Sequence, residues 1–258
     1  MAGSSRGRKA DIPQSHQEFF LLTLMRYYPV FLDIAGRHCV VVGGGRVAER
    51  KAASLVSAGA EVIVISPAFT KGLKGLTNKI SSSSYPSPFR GEGRVGVGGL
   101  KLIRRNYKTG DLKGAYLTIA ASASKAVNKR VHNEASERNV LINVVDSPDI
   151  CSFIVPSVVE RGSIVIAIST SGKAPALARV IRKELEKIIG PEYEVFLEII
   201  AKVRAGLKAR GKKAGGEKII KALAVSPVLR WLKGGDTDKV KDYLSRMLGF
   251  AKRITPSR

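Results

Sequence analysis

Cysteine is nearly absent: Cys39 and Cys151 are the only two in 258 residues, and they lie far apart. That excludes a disulfide framework or a zinc ribbon and leads to an expectation of two buried thiols in a reducing compartment. Histidine is equally scarce. His16, His38 and His132 are scattered, so no preformed metal cage is expected. Aromatic residues make up 6% of the chain, with a single tryptophan, Trp231. Beside Leu232 it reads as helix packing, not as a stacking platform. No apolar run approaches the ~18–20 residues that span a bilayer. The short run at 19–25 ends at Arg26 and lacks a small-residue cleavage site. A secretory signal is therefore not expected, and the expected location is the cytoplasm. Acid is in deficit, with 21 Asp and Glu against 44 Lys and Arg, a formal net charge of +23. Such a chain attracts polyanions: nucleic acid, an acidic membrane, or a small molecule carrying many carboxylates or phosphates. Residues 192–258 hold 16 basic against 7 acidic residues, so the excess is shared with the rest of the chain.

What is present has an alternating grammar. Apolar, β-branched runs at 30–32, 38–42, 62–65, 100–103, 116–121 and 140–145 read as strands. Helical spacing at 47–58 and 125–138 falls between them, and Gly59 stops the first of these helices. This order predicts an α/β domain with a largely parallel sheet. Residues 81–99 are rich in Ser, Pro and Gly and read as a surface loop or low-complexity insertion. After Pro148 the pattern changes. Strands are expected at 152–155 and 164–168 and a helix at 176–189. A helical tail follows from Pro191, broken at 211–216 and near Gly234-Gly235.

The first strand runs into Gly43-Gly44-Gly45-Arg46-Val47-Ala48, which fits G-x-G-x-x-A between a strand and a helix. Gly43 and Gly45 allow the sharp turn and close approach to a pyrophosphate, and free N–H groups at the helix start face the phosphates. The acidic residue that often ends the second strand is missing; Ser66-Pro67-Ala68 stands there. Serine and backbone groups are left to hold the ribose, and Arg46 can favour a phosphate. NAD is the expected cofactor, with NADP open. Ala121 and Ser122 end another strand, where small side chains either admit the cofactor or pack the core. Asn143-Val144-Val145-Asp146 places a carboxylate on the same sheet edge, either for catalysis or as a turn former. In Ser169-Thr170-Ser171-Gly172-Lys173-Ala174-Pro175, hydroxyls and Lys173 can hold carboxylates, or the segment caps a helix.

These segments occur in a fixed order with Tyr28-Pro29-Val30-Phe31-Leu32 and Ser152-Phe153-Ile154-Val155-Pro156. Together they resemble precorrin-2 dehydrogenase, the dehydrogenase and chelatase module of siroheme synthase, over roughly residues 26–189 and more loosely the tail. The resemblance implies a Rossmann-like NAD-binding domain, a small α+β dimerisation segment and a helical C-terminal domain in a homodimer. It implies oxidation of precorrin-2 to sirohydrochlorin by hydride transfer to NAD and, in bifunctional members, insertion of ferrous iron to give siroheme. It puts the key aspartate at Asp146, cofactor contacts at Arg46, Val47, Pro67 and Ala68, and a tetrapyrrole-site serine at Ser169. Asn143 and Lys173 are taken as further substrate-binding candidates. A polycarboxylate tetrapyrrole suits a basic protein.

The expected organisation is a loose extension at 1–24 with Met25 a candidate start, the NAD-binding domain at 25–148 with its insertion at 81–99, the dimerisation segment at 149–189, and the helical domain at 190–258. Two rival readings are a redox-sensing regulator that binds DNA through basic helices and a channel-type NAD-sensing module. No recognition-helix motif supports the first, so nucleic acid is not an expected partner.

Overall fold

Five β-branched runs pair side by side, all parallel, in the computed structural model, which describes residues 26–82, 99–209 and 213–248. The strands are β1 (His38–Val42), β2 (Glu61–Ser66), β3 (Leu100–Arg104), β4 (Leu117–Ala120) and β5 (Leu141–Val144), in the order β3-β2-β1-β4-β5. Helices α1 (Arg46–Ser57), α2 (Lys71–Ser82) and α3 (Lys125–Glu137) form the crossovers. Parallel strands need such crossovers, and covering both faces makes their strands continuously apolar. Alternation along β1 shows it. Cys39 and Val41 pack with Ala48, Ala52 and Leu55 of α1, whereas Val40 and Val42 pack with Val131 and Ala135 of α3. The chain order reverses between β1 and β4, and open α/β sheets bind ligands at that crevice.

The remainder is a hairpin, β6 (Ser157–Arg161) with β7 (Ile164–Ile168), then α4 (Pro175–Ile188) and a bundle of α5 (Glu192–Ala209), α6 (Lys213–Ala224), α7 (Val228–Lys233) and α8 (Thr237–Leu248). Arg161 closes α4, its Nε donating to the Ile189 carbonyl at 2.9 Å. The bundle has its own core, built on Phe196, Ile199, Val203, Leu223, Val240 and Leu244. Trp231 lies edge-on to Tyr243, with ring centroids 5.6 Å apart, so its role here is helix packing.

Several expectations are corrected. The described residues up to Leu32 form one compact unit and those from Asp33 a second. In the first, 30–32 are irregular, not a strand. Pro29 just before them has no N–H to give a ladder, and the run is only three residues long. The segment 152–155 is also not a strand; the strand begins at Ser157. Ser152 instead acts on β5 through its side chain, its Oγ accepting from the Ile142 N–H at 2.8 Å. α2 was not expected, and it reaches Ser82, so the insertion begins beyond 81–82. At its other end, Gly99 accepts from the Val62 N–H at 2.8 Å. The tail is interrupted close to the expected 211–216, since α5 ends at Ala209 and α6 starts at Lys213, but Gly215 and Gly216 lie inside α6, where burial of Leu223 and packing of Ile219 and Ile220 outweigh the helix cost of glycine. The extension 1–24, the bulk of the insertion, and 210–212 lie outside the described residues.

Cys39 is fully buried in β1, and burial pushes its thiol up to about 11. Cys151 is half-buried, so only one of the two thiols is enclosed as expected. A thiol whose folded pKa is raised contributes stability that is complete below its unfolded value and is lost as pH rises from about 9 to about 11. The loss is on the order of 3 kcal/mol. Denaturant melts across that range should show the fall in the native protein and a shallower one in Cys39→Ala.

Candidate functional site

The glycine turn is built by steric need on one side and by openness on the other. Gly43 has φ +129, and a β-carbon there would lie 2.3 Å from the Ala121 carbonyl oxygen. One at Gly44 would lie 1.9 Å from that of Ala68. These two glycines let β1, β2 and β4 converge at their carboxyl ends. Gly45 differs: among the described residues beyond its chain neighbours and its own helix, nothing lies within 4 Å of a β-carbon built on it. It is the N-cap of α1 and offers no side-chain cap, so the first-turn N–H groups of α1 stay directed at the crevice. Ala48, at the small position of the motif, is wholly buried between α1 and the sheet.

The crevice is a cleft of about 1210 Å³. Its first wall is the turn itself with Arg46 and Val47. Its second is the end of β2, where Ser66, Pro67 and Ala68 lead into Thr70. That loop is clasped to the turn. The Thr70 N–H donates to the Gly44 carbonyl at 3.0 Å, and the Thr70 hydroxyl donates to Glu49 of α1 at 2.5 Å. Arg104 Nε donates to the Pro67 carbonyl at 3.3 Å. Ala121 and Ser122 follow β4, and Asn128 of α3 locks them: its Oδ1 accepts from the Ser122 N–H at 3.1 Å and its Nδ2 donates to the Ser122 carbonyl at 3.0 Å.

Asp146 stands at the end of β5, on the same cleft. Its backbone is left-handed, φ +59, a conformation that Asp and Asn adopt more readily than most residues. The turn below it is held by Cys151. Sγ accepts from the Val144 N–H at 3.1 Å and lies 3.3 and 3.2 Å from the carbonyls of Val144 and Ser147. Among the described residues Asp146 is the one acid that lines the cleft, which Arg46, Lys125 and Lys129 line as well.

All the cofactor candidates of the sequence, with Asp146, are thus brought together. The three substrate candidates are not. Asn143 donates through Nδ2 to the Phe153 carbonyl at 3.0 Å and does not line the cleft. Ser169 and Lys173 are exposed on the turn after β7, outside the cleft, where Ser169 Oγ accepts from the Ser171 N–H at 3.0 Å. Sequence reasoning missed Lys125, Lys129 and His132, which line the cleft from α3. Their i, i+4, i+7 spacing on the helix after a strand ending in small residues was the available signal. Among the described residues no group of three His, Cys, Asp or Glu is placed to hold a metal ion, and no helix is long and apolar enough to cross a membrane.

The glycine turn, the uncapped helix start and the switch-point cleft define a dinucleotide-binding α/β protein. Residues 30–157 match the family described as putative NAD(P)-binding, and 161–188 match the sirohaem biosynthesis protein central family. The chain is 37% identical to a siroheme synthase of Vesicomyosocius okutanii over 72% of its own length and 36% of the relative's. It is 32% identical to that of Nitrosomonas eutropha over 87% and 44%. It therefore spans less than half the length of these relatives. The solved structure of SirC, precorrin-2 dehydrogenase, has the same fold, with a TM-score of 0.69 at 21% identity, covering 87% of this chain and 100% of that one. By these matches the chain is similar to the N-terminal module of the siroheme synthases.

Proposed function

We propose that this chain oxidises precorrin-2 to sirohydrochlorin with NAD. The observation that carries the reading is Asp146, held by a fixed turn in the same cleft as an open, uncapped glycine turn. The fit to a dinucleotide rests on that turn: Gly45 leaves room where a pyrophosphate approaches, and the α1 N–H groups supply its hydrogen bonds. Ser66, Pro67 and Ala68 border the ribose position and Ala121 and Ser122 the reactive half. Bound NAD supplies the hydride acceptor. Losing a hydride from precorrin-2 also requires losing a proton, and the Asp146 carboxylate is the base that takes it and returns it to water. A cleft of about 1210 Å³ exceeds the roughly 300–1,000 Å³ of a pocket for one small ligand and leaves space for a tetrapyrrole beside the cofactor.

A homodimer is part of the proposal. Leu177, Val180, Ile181 and Ile188 of α4 are exposed, and a two-stranded hairpin is marginal by itself. A second copy laid on this element would cover both. We place Ser169 and Lys173, which border it, near substrate through that assembly. The cytoplasm suits two free thiols, and nucleic acid is not a proposed partner.

The test is an anaerobic assay of precorrin-2 with NAD, followed spectrally, with ferrous iron added afterwards. NADH and sirohydrochlorin are the expected products. A further enzyme-dependent change on adding iron would extend the activity to siroheme formation. Binding of NAD without oxidation would favour a sensor. In the same assay Gly45→Ala should fold with an unchanged melting temperature yet weaken NAD binding by about tenfold or more, since its β-carbon meets only ligand space.

A further inference from the structure

The cleft has a wall that neither the glycine turn nor Asp146 accounts for. Lys125, Lys129 and His132 of α3 line it. The helical rise sets the lysines about 6 Å apart along the axis, with His132 roughly 5 Å further on. Both lysines are exposed and, among the described residues, neither has an ion-pair partner. His132 has an enclosed Nδ1 with no hydrogen-bond partner. The helix that carries them is fixed at both ends. Asn128 ties its start to Ser122, and buried Glu134 ties its end to the loop before β4.

The position of the wall selects its ligand. In a sheet of order β3-β2-β1-β4-β5 the nucleoside half of a dinucleotide lies toward β2, and the reacting half lies toward β4 and β5. α3 joins β4 to β5, so its cations face the reacting half and whatever is oxidised there, not the pyrophosphate. Two unpaired ammonium groups in a partly enclosed cleft attract carboxylates and confer orientation as well as affinity.

We propose that Lys125, Lys129 and His132 form a carboxylate-recognition wall that grips the acidic side chains of the substrate and presents its ring to Asp146. This rests on the reading that the substrate is a polycarboxylated tetrapyrrole. The wall determines specificity; no bond is made or broken there.

The experiment compares the native chain with Lys125→Ala/Lys129→Ala and, as a control of equal charge loss on the bundle, Lys202→Ala/Lys208→Ala. Sirohydrochlorin binding is measured by absorbance without cofactor, NAD binding by calorimetry, and precorrin-2 oxidation by NADH formation. The cleft double variant should bind sirohydrochlorin about 10–100-fold more weakly, with a reduced salt dependence. Its KM for precorrin-2 should rise in parallel while NAD affinity stays within twofold and the melting temperature is unchanged. The control should match the native chain. Unchanged sirohydrochlorin affinity in the cleft variant would overturn the wall while leaving the dehydrogenase reading intact if native oxidation occurs. An equal loss of NAD affinity would assign the lysines to the cofactor and overturn it too. Native protein that binds sirohydrochlorin through these lysines but does not oxidise precorrin-2 would retain the wall and sink the dehydrogenase.

Discussion

Asp146→Asn should lower precorrin-2 oxidation by about 10²–10⁴-fold, the range a positioned general base contributes, while NAD affinity stays near native. The substitution isolates the proton. Asparagine has the same shape and tolerates the left-handed backbone found at Asp146, so the turn over Cys151 keeps its geometry. A β-branched replacement would mix lost chemistry with backbone strain. Single-turnover NADH formation reads the reacting step, and calorimetric NAD binding reads the cofactor site. Near-native turnover in Asp146→Asn would remove the carboxylate from the mechanism.

Glu134→Ala should cost about 3–5 kcal/mol, a large share of a typical domain's stability. Glu134 is 3% exposed and accepts from four donors: the Tyr107 hydroxyl, the N–H groups of Gly110 and Leu112, and Arg138 Nε at 2.8 Å. Removing the carboxylate strands at least two backbone N–H groups with no partner. Burial by itself pushes this carboxyl up, but the bonds from Tyr107, Gly110, Arg138 and Leu112 outweigh it and hold the carboxyl below its usual range. Burial and the same Glu134 bond raise the Tyr107 hydroxyl above its ordinary value. A depressed carboxyl contributes stability above its unfolded pKa that is lost as pH falls through the folded value. Native protein should therefore weaken below about pH 4.5, and Glu134→Gln should be less stable at neutral pH with a flatter acid limb. Urea melts at neutral and acid pH measure both. A melting temperature unchanged by Glu134→Ala would show that the loop 105–116 is held by other contacts.

The legible parts of this molecule were those in which neighbouring residues act together. The segment from β1 through the glycine turn and α1 to β2 is local, periodic and punctuated by glycine, and it was read to within a residue or two. α2 was hidden because Gly72 and Gly75 resemble breakers. At Gly72 the Glu49 carboxylate takes the space that a β-carbon would fill. Ser152-Phe153-Ile154-Val155 has strand composition, yet Ser152 satisfies the backbone of Ile142 with a hydroxyl, and pairing starts only after Pro156. At the site, the turn and Asp146 follow from strand ends. The α3 wall depends on which face of a helix meets the sheet edge, and that is decided by the burial of Val131 and Ala135 about a quarter turn round the helix.

Strand order also sets a schedule for folding. β1 has β2 on one side, some twenty residues on, but its other neighbour is β4, with Val41 opposite Ile119. The centre of the sheet cannot close until the chain has reached β4, and the crossover from β2 to β3, which carries α2, lengthens the chain before that. Loop length costs little at equilibrium, about 0.6 kcal/mol per doubling, but distant pairings slow the search. The bundle α5–α8 draws its core from neighbours in sequence, so it should form quickly while the sheet is still assembling its central pair. On refolding from denaturant the bundle should therefore gain its structure before β1 finds β4, and the glycine turn between them should be among the last parts of the sheet to set.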